Sequence, residues 1–69
     1  MATERKRGVL VTYEAGGCPR AYAMGPVGRR DEVREEARIH LDAYRMERAV
    51  VGDPLATAKY VRREQVLEL

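Results

Sequence analysis

Few residues in this 69-residue chain have the chemistry to act on a substrate. His40 is the only histidine and Cys18 the only cysteine. An imidazole becomes a general base when a nucleophile and an orienting acid gather around it. The nearest acid by spacing is Glu36, one helical turn earlier, which can accept a hydrogen bond from the ring. Packing at a helix edge accounts for His40 without a catalytic role, and no metal-ligand spacing includes it. Cys18 stands in a Gly16-Gly17-Cys18-Pro19 turn with Arg20 nearby. Exposed turn thiols beside a cation can be reactive, but no catalytic partner accompanies this one. Glu35 and Glu36 are adjacent, point about 100° apart on a helix, and cannot work as an acid/base pair. Gly25-Pro26-Val27-Gly28-Arg29 leads into a helix, where free N–H groups can hold phosphate. It matches neither a Walker loop nor a dinucleotide fingerprint and reads as a connector. The expectation is a non-enzyme with no metal and no cofactor.

Arginine is the conspicuous residue type. The net charge is +2, from 13 basic and 11 acidic residues, and all the basic residues but Lys6 and Lys59 are arginines. The arginine fork pairs planar acceptors two at a time and desolvates more readily than lysine, which suits interfaces. A GC-rich coding sequence also produces an Arg-, Ala- and Gly-rich chain. The basic groups fall into Arg5-Lys6-Arg7, Arg29-Arg30, Arg62-Arg63 and a helix stripe of Arg34, Arg38 and Arg45. Arg29 and Arg30 oppose the helix dipole, a hint that they are kept for contact. A nucleic-acid surface would need Arg20 and Arg62 beside Tyr22 on one sheet face. The interleaved acids argue against it, so a small nucleic-acid-binding regulator using Arg20, Arg29, Arg30, Arg62 and Arg63 is the alternative rather than the leading reading.

The elements that position these groups are legible from periodicity. Residues 1–6 are expected to form a flexible basic leader and 7–69 a single α+β domain. Val9, Val11 and Tyr13 alternate with Leu10, Thr12 and Glu14, a strand pattern. Ala15–Pro19 reads as a turn, and Arg20–Met24 as a second strand closed by Gly25-Pro26. Arg29–Arg48 contains no Gly or Pro and is rich in helix formers. Val33, Ala37, Leu41 and Tyr44 fall within an arc of about 80°, a core-facing stripe. Ala49-Val50-Val51 suggests a third strand, and Gly52-Asp53-Pro54 a turn. Asp53-Pro54 would also open a helix over Leu55–Val66. That helix would place Arg62 amid Leu55, Ala58, Val66 and Leu69. A fourth strand near Thr57–Arg62, then a turn of helix at Arg63–Glu68, avoids this. The expected layout is β-β-α-β-β, one long amphipathic helix on a small antiparallel sheet.

The helix carries a second apolar group, Ile39, Ala43 and Met46, set apart by Glu36, His40 and Glu47. Two readings are open: the edge of a wide buried face tucked under the tail, or a contact surface for a second chain. With no Phe or Trp the core is thin, and chains of this size often complete their stability by association. A larger protein partner is the favoured expectation, with a homodimer as a further one. One cysteine excludes an internal disulfide and fits a reducing cytoplasm. No apolar run approaches the roughly 20 residues that span a bilayer, so no membrane association is expected.

The hairpin followed by Arg29-Arg30-Asp31-Glu32-Val33-Arg34-Glu35-Glu36-Ala37 is similar in order to the HicB-like antitoxin domain. That family has a proline-glycine-cysteine segment between the second strand and the helix, whereas Gly17-Cys18-Pro19 here lies in the first turn. The whole chain, with its Tyr60-Val61-Arg62-Arg63-Glu64-Gln65-Val66-Leu67 tail, also resembles the compact β-β-α-β-β anti-CRISPR proteins of phages. Both likenesses lie in element order, and no functional residue carries over. Each implies a small inhibitor or accessory factor, phage or mobile-element encoded and acting in the bacterial cytoplasm, that occupies a surface of a larger partner.

Overall fold

The computed structural model describes residues 7–68, so the expected leader lies outside the described residues. The chain forms strand β1 (Arg7–Ala15), strand β2 (Cys18–Pro26), a 3-10 turn (Val27–Arg29), helix α1 (Arg30–Val50), a second 3-10 turn (Pro54–Ala56) and strand β3 (Val61–Glu68). The three strands make one antiparallel sheet in the order β2-β1-β3. This is the expected α+β class with three strands instead of four.

The hairpin turns on Gly16 and Gly17, both at positive φ (62° and 77°). A two-residue loop with both φ values positive matches the twist of the strands it joins. The register shifts between Tyr13 and Glu14, leaving Arg20 as a bulged residue whose Nε donates to the Ala15 carbonyl at 3.4 Å. Beyond the bulge, Val9, Val11 and Tyr13 pair with Gly25, Ala23 and Ala21 on one face of the sheet.

That face is small-sided on β2 and bulky on β1, so α1 settles mainly over β2. Val33, Ala37 and Leu41 are buried against Val9, Val11, Tyr13, Ala21 and Ala23, with Tyr60 packed alongside. Tyr44, the fourth member of the expected stripe, is half-buried. A methyl placed on Gly25 would lie 2.8 Å from Val33 Cγ2, so the absent side chain sets how closely the helix approaches.

The C-terminal third departs from expectation at three points. Ala49 and Val50 belong to α1 rather than to a strand. Gly52 takes a positive φ (73°), with Gly52 N–H donating to Ala49 O (3.1 Å) and Asp53 N–H to Arg48 O (2.9 Å). This left-handed glycine cap satisfies the last carbonyls and stops the helix two residues later than its composition suggested. Asp53 does cap a helical start, accepting from Leu55 N–H at 2.9 Å, but only one 3-10 turn follows. Arg63–Glu68, expected as a turn of helix, is strand: β3 pairs with β1 without interruption from Arg7↔Glu68 to Glu14↔Val61. Backbone pairing to β1, rather than burial, holds this strand, since seven of its eight residues are exposed.

The outer face of the helix as candidate functional site

At 100° per residue, the side chains of α1 divide into two halves. Arg34, Arg38 and Arg45 lie on the flank facing β3, and Arg30 and Arg48 lie near the core. The opposite half holds Asp31, Glu32, Glu35, Glu36, Asp42 and Glu47 and no basic residue. Down its middle run Ile39, Ala43, Met46 and Val50, at spacings of four, three and four. This is the 3.5-residue period of a seam that packs against another helix or a groove.

The seam is open to solvent: Ile39 is 57% exposed, Met46 72% and Val50 87%, with Val51 beyond at 65%. The tail does not cover it, which overturns the reading of a wide buried face. Contacts on the other flank of the helix hold the tail. Arg34 makes a two-pronged bridge to Glu64, its Nη2 donating at 2.9 Å, and its Nη1 donates to Asp31 at 3.2 Å. Hydrogen bonding to Arg34 holds the Glu64 carboxyl below its ordinary value, and the same contact raises Arg34. The Arg45 guanidinium lies 4.6 Å from the Tyr60 ring centroid, a cation–π contact, and the Tyr60 hydroxyl donates to Leu55 O.

Most of the arginines singled out by sequence are therefore engaged within the chain. Arg29 sits 3.8 Å from Glu32, Arg38 Nε donates to Asp42 at 3.4 Å, and Arg63 Nε donates to Glu14 at 2.7 Å. Arg30 is half-buried. Arg48, unremarked in the sequence, bridges to Asp53 at 3.5 Å and lies over Tyr44 at 5.5 Å. Arg62 pairs with Tyr13 on the helix side of the sheet, while Tyr22 and Arg63 flank Thr12 on the open side. The imagined Arg20–Tyr22–Arg62 surface is thus split between opposite faces.

His40 reaches β2: its Nδ1 is 2.7 Å from Tyr22 O. A carbonyl only accepts, so Nδ1 carries the proton and the ring ties the helix to the strand edge. Arg20, Ala21, Tyr22, His40, Ala43, Tyr44 and Glu47 line an open groove here that adjoins the seam at Ala43. Sequence reading missed the groove and Val50; the regular spacing from Ile39 onward was the available signal for Val50. Cys18 is exposed at the hairpin end.

No family model matches the chain, and no curated protein or solved structure matches it. The outer face of α1 therefore stands on its own chemistry. Among the described residues, no three of His, Cys, Asp and Glu converge as a metal-ligand group, and no helix is long and apolar enough to cross a membrane. An apolar strip between Glu35 and Glu36, which have no ion pair among the described residues, and the other helix acids offers hydrophobic burial at its centre and negative charge at its rim.

Proposed function

We propose that this chain is a non-enzymatic inhibitor or accessory factor that occupies a surface of a larger protein, with the Ile39–Ala43–Met46–Val50 seam as its contact. The observation that carries this is the exposure of four regularly spaced apolar residues on a helix whose opposite side already packs the core. Burying a side chain such as Ile39 or Met46 is worth about 1.5–3 kcal/mol, so two or three of them can anchor an interface. The acidic rim favours a partner whose apolar groove is bordered by Lys or Arg, which speeds association and selects orientation. We place the protein among phage or mobile-element factors of the bacterial cytoplasm, anti-CRISPR-like or antitoxin-like in mode of action. The hairpin-then-helix order supports this; the five-element order, with its fourth strand, does not.

The test is affinity capture with the full chain from a bacterial lysate, followed by binding measurements on the purified partner. Ile39→Asp and Met46→Asp variants that keep the wild-type circular dichroism should weaken binding by about 10-fold or more each, the cost of burying an unpaired charge. Wild-type affinity should also fall with added salt. Binding unchanged in both folded variants sinks the proposal.

A further inference from the structure

The open face of the sheet breaks the pattern that antiparallel sheets usually follow. When one face lies on a core, the residues turned the other way are ordinarily polar. Here α1 packs on Val9, Val11, Ala21 and Ala23. The strand register sets three rows on the opposite face: Tyr22–Thr12–Arg63, Met24–Leu10–Gln65 and Pro26–Gly8–Leu67. The β2 column of these rows is apolar throughout. Tyr22 is 63% exposed and Met24 54%, and Leu10 and Leu67 are half-buried beside them.

Charge and size narrow the occupant. Within the paired positions of this face the charged residues are Glu14 and Arg63, and Arg63 Nε donates to Glu14 at 2.7 Å. The face is therefore neutral. It has nothing to steer a charged partner, and it does not repel a copy of itself as the acidic side of α1 would. Three strands about 4.8 Å apart and eight residues at about 3.4 Å each give a flat area of about 400 Å² per copy, to which side-chain relief adds. That lies at the small end of specific interfaces and sets a weak, reversible dimer.

Symmetry supplies the fit. Because β1 is the central strand, a twofold axis parallel to it lays β1 over β1 and β2 over β3 of the second copy. The rows keep their level. Tyr22 then meets Arg63 of the second copy, Met24 its Gln65 and Pro26 its Leu67, while Leu10 meets Leu10. Stacking on Tyr22 uses the flat face of the guanidinium and leaves its bond to Glu14 in place. An axis across the strands would instead lay Tyr22 over Met24 and Arg63 over Gln65, giving the cation no aromatic face. We infer that two copies pack sheet to sheet through this face, about 10 Å apart with strands within about 30°, as a four-layer α-β-β-α dimer. The two Ile39–Val50 seams then point away from each other on the outer sides.

The experiment is sedimentation equilibrium on the full chain and on four variants, each checked for wild-type circular dichroism. Wild type should form a dimer of the 7.8 kDa chain below about 1 mM. Met24→Glu places a charge in the interface twice and should weaken dimerisation about 100-fold, about 10-fold for each copy. Tyr22→Arg sets two guanidinium groups against each other and should weaken it about as much. Tyr22→Glu meets Arg63 of the second copy and should weaken it at least 10-fold less than Tyr22→Arg. Ile39→Asp, on the helix seam, should leave the dimer unchanged. A wild type that stays monomeric at 1 mM overturns the inference. So does a dimer that survives Met24→Glu, one that Tyr22→Glu disrupts as much as Tyr22→Arg, or one that Ile39→Asp abolishes. Capture of a partner by the seam is read with the seam variants and stands or falls separately.

Discussion

The contact between Gly25 and Val33 gives the sharpest test of how the helix is seated. Gly25 lies in ordinary strand backbone, so alanine meets no conformational penalty there and would gain about 0.5–1 kcal/mol from a stiffer unfolded chain. The added methyl would, however, lie 2.8 Å from Val33 Cγ2. Val33 is buried and β-branched on a helix, with one favoured rotamer, so it cannot swing aside. Overpacking of this kind costs about 1–3 kcal/mol, which leaves Gly25→Ala destabilising by about 1 kcal/mol. Val33→Ala alone removes two buried methyl groups at about 0.8 kcal/mol each plus a cavity, about 2 kcal/mol in all. In the double variant the new methyl occupies part of that space, and the loss should be only about 1 kcal/mol. The cycle therefore predicts a coupling near 2 kcal/mol in favour of the double variant (1 + 2 − 1), within the range seen for touching residues. Urea denaturation of the four chains measures it. A domain this small has only about 3–5 kcal/mol to lose, so the single variants should melt several degrees lower. Additive losses, or a stabilising Gly25→Ala, would refute the close seating of α1 on β2.

Two further expectations follow from the tail contacts. Tyr60→Phe keeps the ring over Arg45 but loses the hydroxyl bond to Leu55 O, and should cost about 1 kcal/mol in denaturant melts while leaving circular dichroism unchanged. For Glu64, Arg34 depresses the folded-state carboxyl, whereas the unfolded chain titrates near its ordinary value of about 4.3. The stabilisation is therefore present above that pH and lost as pH falls through the depressed value. The stability advantage of wild type over Glu64→Gln should shrink below about pH 4, and an advantage that grows on acidification would contradict the bridge.

Much of this fold was legible in the residues. Strict alternation from Val9 to Tyr13, paired glycines and an uninterrupted helix-forming run locate the hairpin and α1, because burial on one face writes a period into the chain. β3 carries no such period. As an edge strand beyond the helix, its residues alternate between two exposed faces, so charge and apolar character follow no burial rule. The helix end was misread because Ala49-Val50-Val51 has strand-like composition. Gly52 held the better signal, since a left-handed cap at that position requires the helix to run to its threshold. The candidate site was half legible: Ile39, Ala43 and Met46 stood out, but their exposure depends on which flank the tail takes. That choice is made by Arg34 with Glu64 and Arg45 with Tyr60, pairs about 30 and 15 residues apart.

The alanines along the inner row of β2 are buried and Gly25 beside them is half-buried, and together they set the height and tilt at which α1 rests. The seam on the far side of that helix inherits the tilt. Enlarging Ala21 would lift one end of the rod and enlarging Gly25 the other, swinging the line of Ile39, Ala43, Met46 and Val50 without altering any residue in it. The direction in which this protein offers itself to a partner is thus written in residues beneath the helix, on the side away from the seam.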